Sequence, residues 1–306
     1  MHIQNHSPTA TGGLPATIPR IGHHVVSRST RLAECLTRHF RLSDSRVHEL
    51  LTLGAVYLGK RRQYEDCALR EGNYVRVHLM PKRFDVGGIV WQDRIVAETQ
   101  EFLLVDKPPG VPTHATLDNA QDNVLHQLRQ VVKTELWVTQ RLDVPVGGLL
   151  FLAKTRKTQA RFNSLLLNRQ VEKSYQAVAK GEPTLGKHTH FMEPSDRAPK
   201  KLSADPRDGW VPCELEFKAV RPMPDGLFEI DIQLGTGRTH QIRAQLSFLK
   251  CPIVGDRLYG STEPSEHRGA IRLYCVGLAW EGHRYTCLPP WRIPGSTPPL
   301  GRYVPT

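Results

Sequence analysis

Gln140-Arg-Leu-Asp-Val-Pro-Val-Gly-Gly-Leu-Leu-Phe-Leu-Ala-Lys154 is the stretch on which fold and chemistry both turn. Leu149 to Ala153 reads as a strand, as does Trp137-Val138 before it, and a sharp polar turn stands between the two. Arg141 and Asp143 lie in that turn, close to a core. A partly buried carboxylate stays ionised if a cation is near, which can lower its pKa by roughly 1–3. An ionised, poorly solvated carboxylate can act as a nucleophile. The alternative is a structural Arg–Asp pair locking the turn, and from these residues alone that alternative is favoured.

Outward from this stretch, from about residue 86 to 306, strands and turns alternate with a few helices. Ile89-Val-Trp91 and Phe102-Leu-Leu-Val105 read as strands, the second running into Asp106-Lys-Pro-Pro-Gly110. Thr155 caps a helix that carries Phe162, Leu165 and Leu166 on one face. Lys173 to Ala179 and Cys213 to Val220 are strands. Pro224-Asp-Gly226 turns the chain into a partner strand, Phe228 to Leu234. Leu273 to Trp280 and Tyr285 to Leu288 form a last hairpin. The expected class is α+β, with a large, mostly antiparallel sheet.

Two further clusters stand in this region. In Gly235-Thr-Gly-Arg-Thr-His-Gln-Ile-Arg243 two glycines permit a tight turn after a strand. Thr239 is expected to cap a helix from His240 to Phe248. Arg238, His240, Gln241 and Arg243 then gather at its positive end, where a phosphate or the Asp143 carboxylate could be held. The Lys-Ser/Thr of a nucleotide phosphate loop is missing. Glu172-Lys-Ser-Tyr-Gln-Ala-Val-Ala-Lys-Gly181 places Tyr175 within an alternating strand, where a tyrosine is most often a packing residue.

The beginning of the chain differs. Residues 1–27 are rich in Ser, Thr, Pro, Gly and His, and read as a flexible tail. Residues 28–83 form a small α/β module. Leu32, Cys35, Leu36 and Phe40 have helical spacing, Ser43 caps a second helix with Val47, Leu50 and Leu51 inward, and Gly54 ends it. Strands follow at Ala55 to Leu58 and Tyr74 to Leu79. Arg38, Arg41, Arg46, Lys60, Arg61 and Arg62 make this module basic.

The 306 residues carry a formal net charge of +11, which points to a polyanionic partner, or to a soluble protein that is simply basic. The six cysteines are far apart, with no CxxC pair, so reduced thiols are expected rather than a zinc or redox site. Pro15, Pro19 and Arg20 break the first apolar stretch, so no signal peptide is expected. No apolar run reaches membrane-spanning length. A cytoplasmic protein is expected, and the first 25 residues leave open an atypical organelle transit peptide.

Taken together, the segments at 106–110, 140–154, 172–181 and 235–260 resemble, in order, the motifs of the RluA-type family of pseudouridine synthases. Gly235 to Arg243, continuing through Pro252-Ile-Val-Gly-Asp256 and Tyr259-Gly260, is nearly a contiguous copy of one of them. Residues 29–83 resemble the alpha-L RNA-binding domain, named after a small-subunit ribosomal protein, on Arg31-Leu32, Ser45-Arg46, Gly54-Ala-Val56 and Gly72. The resemblance implies an enzyme that detaches uracil from its ribose, rotates it and rejoins it through carbon 5. It implies Asp143 as nucleophile, Arg238 paired with Asp143, Tyr175 stacked on the target base and assisting proton loss, and Arg141 filling the space left by the extruded nucleotide. Lys173, His240, Gln241 and Arg243 would meet RNA in the catalytic domain, and the six basic residues above would do so in the first module. No metal or organic cofactor is needed. The implied partner is RNA, ribosomal first and transfer RNA second, with a monomer as the default.

The chain departs from the family's pattern at Gln140, where His is usual, and at Val146-Gly147-Gly148 in place of Thr-Ser-Gly. Leu273-Tyr274-Cys275 stands in place of Leu-His-Ala. Lost hydroxyls remove hydrogen bonds around the turn. The competing reading is therefore an inactive RNA-binding or assembly factor on the same scaffold. A glycosidase ranks third, because that chemistry asks for paired carboxylates.

Overall fold

The computed structural model describes residues 20–264 and 269–292. The chain divides into two compact units, with the boundary between Lys82 and Arg83.

The first unit contains β1 (Ile21–Val25), β2 (Thr30–Arg31), α1 (Leu32–Phe40), α2 (Asp44–Thr52), β3 (Val56–Leu58), β4 (Arg61–Gln63), β5 (Ala68–Leu69) and β6 (Tyr74–His78). α1 turns Leu32, Cys35 and Leu36 inward. α2 starts at Ser43, whose hydroxyl accepts a hydrogen bond from the Arg46 amide at 3.3 Å, a cap that typically contributes about 1 kcal/mol. Gly54 follows the helix with a φ of 65°, which suits a residue without a side chain. The helices and the sheet β1-β6-β3-β4 enclose Leu36, Leu50, Val56, Val75 and Val77. β1 corrects the sequence reading, which placed residues 21–25 in a tail. Its pairing with β6, from Ile21 opposite His78 to Val25 opposite Tyr74, makes it a strand. The two histidines and a glycine gave no apolar alternation, because Ile21 and Val25 are exposed. Residues 1–19 and everything after 292 lie outside the described residues.

The second unit contains β7 (Ile95–Glu98), β8 (Phe102–Lys107), α3 (Val124–Val132), β9 (Trp137–Val138), β10 (Gly147–Ala153), α4 (Arg156–Leu167), β11 (Glu172–Lys180), β12 (Gly186–Met192), β13 (Leu202–Ser203), β14 (Val211–Met223), β15 (Leu227–Leu234), α5 (Gln241–Phe248), β16 (Leu273–Trp280) and β17 (His283–Thr286). Eleven strands form one sheet in the order β13-β12-β14-β15-β11-β16-β10-β8-β7, with β9 added to β10 and β17 to β16. Every recorded pairing in it is antiparallel except β10 with β16. The expected α+β class with a large, mostly antiparallel sheet is what the chain adopts.

β8 and β10 are buried throughout because the sheet is covered on both faces. Alternation sends Leu104, Leu149 and Phe151 to the face packed by α4 and α5, with Phe162, Ile242 and Leu246. Leu103, Val105, Leu150 and Leu152 go to the other face, with Val124 and Leu128 of α3. Ile89 to Trp91 is not a strand. Residues Trp91–Arg94 form a 3-10 turn instead, which buries Trp91 and brings the Arg94 guanidinium to within 3.0 Å of Asp106.

Candidate active site

β16 lies between β10 and β11. Cys275 is opposite Gly148 on one side and Tyr175 on the other. That row sets Tyr175 about 10 Å, two strand spacings, from the start of β10. The turn carrying Asp143 ends where β10 begins.

The backbone carbonyls of that turn from Leu142 to Val146 are all tied down. Thr113 Oγ1 donates to the Leu142 carbonyl at 3.1 Å. The Val146 amide donates to the Asp143 carbonyl at 3.1 Å, the Gly110 amide to Val144 at 2.7 Å, and the Ile271 amide to Pro145 at 3.2 Å. Lys107 supplies the rest. Its Nζ donates to the carbonyls of Pro108, Val144 and Val146 at 2.9, 3.3 and 2.7 Å. Three acceptors match the three hydrogens of an ammonium. Burial pushes Lys107 down to about 7, and Asp143 and Asp106 pull it the other way. Such complete pairing of buried carbonyls makes the turn a rigid mount.

The Asp143 carboxylate ends a line of charges. Arg243, on α5, donates from Nη1 to Asp143 Oδ2 at 3.0 Å. Its Nε and Nη2 form a bidentate pair with Asp256 at 2.7 and 2.9 Å. The guanidinium also lies 5.0 Å from the centre of the Tyr259 ring. Burial works against the Arg243 charge, but the two carboxylates outweigh it and push Arg243 up. Exposure rises along the line, from 2% for the Asp256 side chain through 5% for Arg243 to 24% for Asp143. Oδ2 of Asp143 also has His240 Nε2 at 3.7 Å, while Oδ1 has no hydrogen-bond partner among the described residues.

The expected partner of Asp143 was Arg238, and that is corrected here. α5 starts only at Gln241, and Arg238 sits in the exposed loop before it, beyond ion-pair distance of Asp143. The helix aims Arg243 inward instead. Gln241 and Arg243 are correspondingly not free to meet RNA. The Gln241 amide is spent on Thr236, the Arg238 amide, Glu214 and Gln245. His240, not Thr239, is the residue preceding the helix, in a left-handed conformation with φ 58°. Its Nδ1 bonds to the Tyr259 hydroxyl at 3.0 Å. Burial pushes its imidazole down, with Arg243 adding and Asp143 opposing.

Tyr175 is 8% exposed. Burial, then Cys275, then the Asp143 charge raise its hydroxyl well above the usual tyrosine range, so it is a neutral phenol at neutral pH. Lys173, two residues earlier, reaches the loop before α5, its Nζ 3.1 Å from where a Cβ on Gly237 would stand. Burial lowers its pKa. Arg141 is exposed in the same turn, two residues before Asp143. The residues that sequence reading missed are Lys107 and Asp256 as supports of Asp143. Both stood within quoted motifs, but only the folded chain brings them to the turn.

In the first unit Lys60 and Arg61 are exposed in the β3–β4 hairpin. Arg38 pairs with Glu34 at 2.9 Å and Arg46 with Glu49 at 2.5 Å. Arg62 donates to the Gly54 carbonyl and lies over Tyr57, and Arg41 closes α1 with a φ of 54°. Among the described residues no cluster of His, Cys, Asp and Glu is placed to hold a metal ion, and no helix is long and apolar enough to cross a membrane.

Residues 101–248 match a family model described as RNA pseudouridylate synthase. The chain is 33% identical over 308 residues to RNA pseudouridine synthase 6, chloroplastic, of Oryza sativa subsp. japonica, covering 79% of this chain and 65% of that protein. It is 31% identical over 182 residues to ribosomal large subunit pseudouridine synthase D of Yersinia pestis, covering 58% of this chain and 55% of the relative. The chain thus spans less than two thirds of the length of either. Among solved structures, Human RNA Pseudouridylate Synthase Domain Containing 4 shares the fold, with a TM-score of 0.54 at 22% identity over 66% of this chain and 90% of that one. On the motifs, the matched region and these relatives, the chain is similar to RNA pseudouridylate synthases of the RluA type.

Proposed function

We propose that this protein isomerises uridine to pseudouridine in structured RNA, with Asp143 as the nucleophile and ribosomal RNA as the substrate. The observation that carries the reading is the Asp143 carboxylate itself. It has one oxygen pinned by Arg243 and the other open, it is partly exposed, and it rides on a turn whose carbonyls from Leu142 to Val146 are held. Little reorganisation is then left for the reacting step.

The reaction breaks the bond from N1 of uracil to C1′ of the ribose and makes a bond from C5 to C1′. The C5 proton leaves and N1 gains one, so substrate and product are isomers. Asp143 attacks while the base is detached. Tyr175 packs against the base and assists loss of the C5 proton, starting from its neutral form. Arg141 occupies the gap in the RNA helix, and Lys173 and His240 face the sugar-phosphate chain. Extrusion of the nucleotide costs a few kcal/mol, which stacking and phosphate contacts offset.

The ribosomal target rests on the resemblance of residues 29–83 to a ribosomal-protein module and on the relative named for the large subunit. The cytoplasm is the compartment in this reading. The plastid named for the rice relative is the alternative, and a fluorescent fusion to the C-terminus of the full chain decides between them. The reaction is tested by tritium release from RNA labelled at C5 of uridine, taken from cells lacking the protein. Wild type should release tritium, and Asp143→Asn should bind the RNA and release none. Release by Asp143→Asn above trace level would end the nucleophile assignment. Silence from both would favour an RNA-binding factor.

A further inference from the structure

Gly147 and Tyr274, two of the positions where the chain departs from its family's motifs, stand opposite each other. The parallel contact of β10 with β16 pairs Gly147 with Tyr274 and Gly148 with Cys275. A Cβ on Gly147 would lie 2.3 Å from Cε2 and 2.8 Å from Cδ2 of Tyr274, inside any tolerable non-bonded distance. Gly147 is not among the residues with positive φ, so its own backbone does not require glycine. The neighbouring ring does, and the Lys107 carbonyl, 3.2 Å from the same point, adds a lesser constraint.

Tyr274 is among the largest fully buried side chains, and its position is fixed at both ends. The Trp291 ring meets it edge-on, with centroids 6.1 Å apart. Its hydroxyl donates to Asp106 Oδ1 at 2.6 Å, while Arg94 donates to Asp106 Oδ2 at 3.0 Å. Asp106 and Arg94 are themselves buried. Asp106 is directly followed by Lys107, the residue that holds the carbonyls of Val144 and Val146. Side chains alternate along a strand, so Tyr274 and Lys107 hold the end of β8 from opposite faces. In register that end lies beside Leu149 and Gly148. Tyr274 is thus joined, through Asp106 and Lys107, to the turn that presents Asp143.

We propose that Gly147 and Tyr274 are a matched pair and that Tyr274 is a positioning residue. It fills the space that Gly147 leaves, fixes Asp106, and so sets where Lys107 holds the Asp143 turn. This deepens the proposed reaction and rests on Asp143 being its nucleophile.

The test uses the full chain and four variants: Tyr274→Phe, Gly147→Ser, Tyr274→His, and Gly147→Ser with Tyr274→His. Thermal unfolding needs no substrate and reads the pairing. Gly147→Ser alone should lower the midpoint, because the added side chain meets a ring that cannot slide. The double variant should recover most of that loss. Tyr274→Phe keeps the volume and removes only the hydroxyl. Its single-turnover rate should fall about tenfold, the scale of one lost hydrogen bond to a charged group. Its RNA affinity should stay within about twofold, a split that a general loss of fold would not produce. A wild-type rate for Tyr274→Phe would overturn the positioning role. Midpoint losses that simply add in the double variant would overturn the pairing. If wild type turned over no RNA at all, the reaction would fail instead, and the unfolding cycle would still decide whether the pair is matched.

Discussion

Arg243 holds two carboxylates that would otherwise face each other across the site, Asp143 and Asp256. Removing it should do two separable things. Arg243→Ala strands the Asp256 carboxylate in the interior, and breaking a buried pair from one side typically costs about 3–5 kcal/mol. Arg243→Lys keeps one charge but cannot span both carboxylates, because lysine has no planar fork. The expected result is a lysine variant that folds, binds RNA and loses at least about a hundredfold in single-turnover rate, which is about 2.7 kcal/mol of transition-state stabilisation. Arg238→Lys, changing an exposed loop residue, should lose far less. Rates and melting curves of the three variants settle it, and a larger rate loss at Arg238 than at Arg243 would contradict the pairing seen here. The sequence could not tell the two arginines apart. They stand five residues apart in one motif, and what turns Arg243 inward is Asp256, thirteen residues further on, which only the closed fold brings alongside.

At the scale of elements, α4 is held to the sheet by an aromatic cluster. Phe151 of β10 and Phe162 of α4 stack with centroids 3.8 Å apart and planes 8° from parallel, and Trp280 of β16 meets both edge-on. Phe162→Ala should cost about 3–5 kcal/mol in urea unfolding, because the rigid sheet cannot collapse into the cavity. The turnover of the molecules that stay folded should not change, since Phe162 is no part of the charge line around Asp143. α4 and α2 were legible beforehand because their signals are local: a capping Thr155 or Ser43 and an apolar face at helical spacing. α3 carries the same kind of signal, with Val124, Leu128 and Val131 on one face, and is a helix that the sequence reading above does not contain. β12 and β1 were not legible. Gly186 to Met192 is polar and basic, and it becomes a strand through its seven-residue register with β14, a long-range pairing with no local mark. The 3-10 turn at Trp91–Arg94 was likewise hidden, because its cause is the buried Asp106.

At the scale of the whole molecule, the net charge of +11 has to be read against where the cations are spent. Arg243, Arg94 and Lys107 are buried and committed to the site. Arg38 and Arg46 pair with glutamates of their own helices. Lys60 and Arg61 are exposed, in a hairpin of the module that resembles an RNA-binding domain. If they contact phosphates, Lys60→Ala with Arg61→Ala should flatten the plot of log affinity for RNA against log salt by about 1–2. Turnover at saturating RNA should be unchanged. An unaltered slope across a salt series would remove this hairpin from the RNA interface.

The contact between Gly147 and Tyr274 also limits the order in which such a pair can arise. From serine and histidine at these positions, a tyrosine arriving first would meet a Cβ 2.3 Å from its ring. A glycine arriving first leaves a small void, a loss that a folded chain tolerates better than an overfilled core around a tethered ring. The path therefore runs through glycine. Once tyrosine is in place the glycine cannot revert alone, so any return runs through the tyrosine first, and a serine at 147 should not be found opposite a tyrosine at 274.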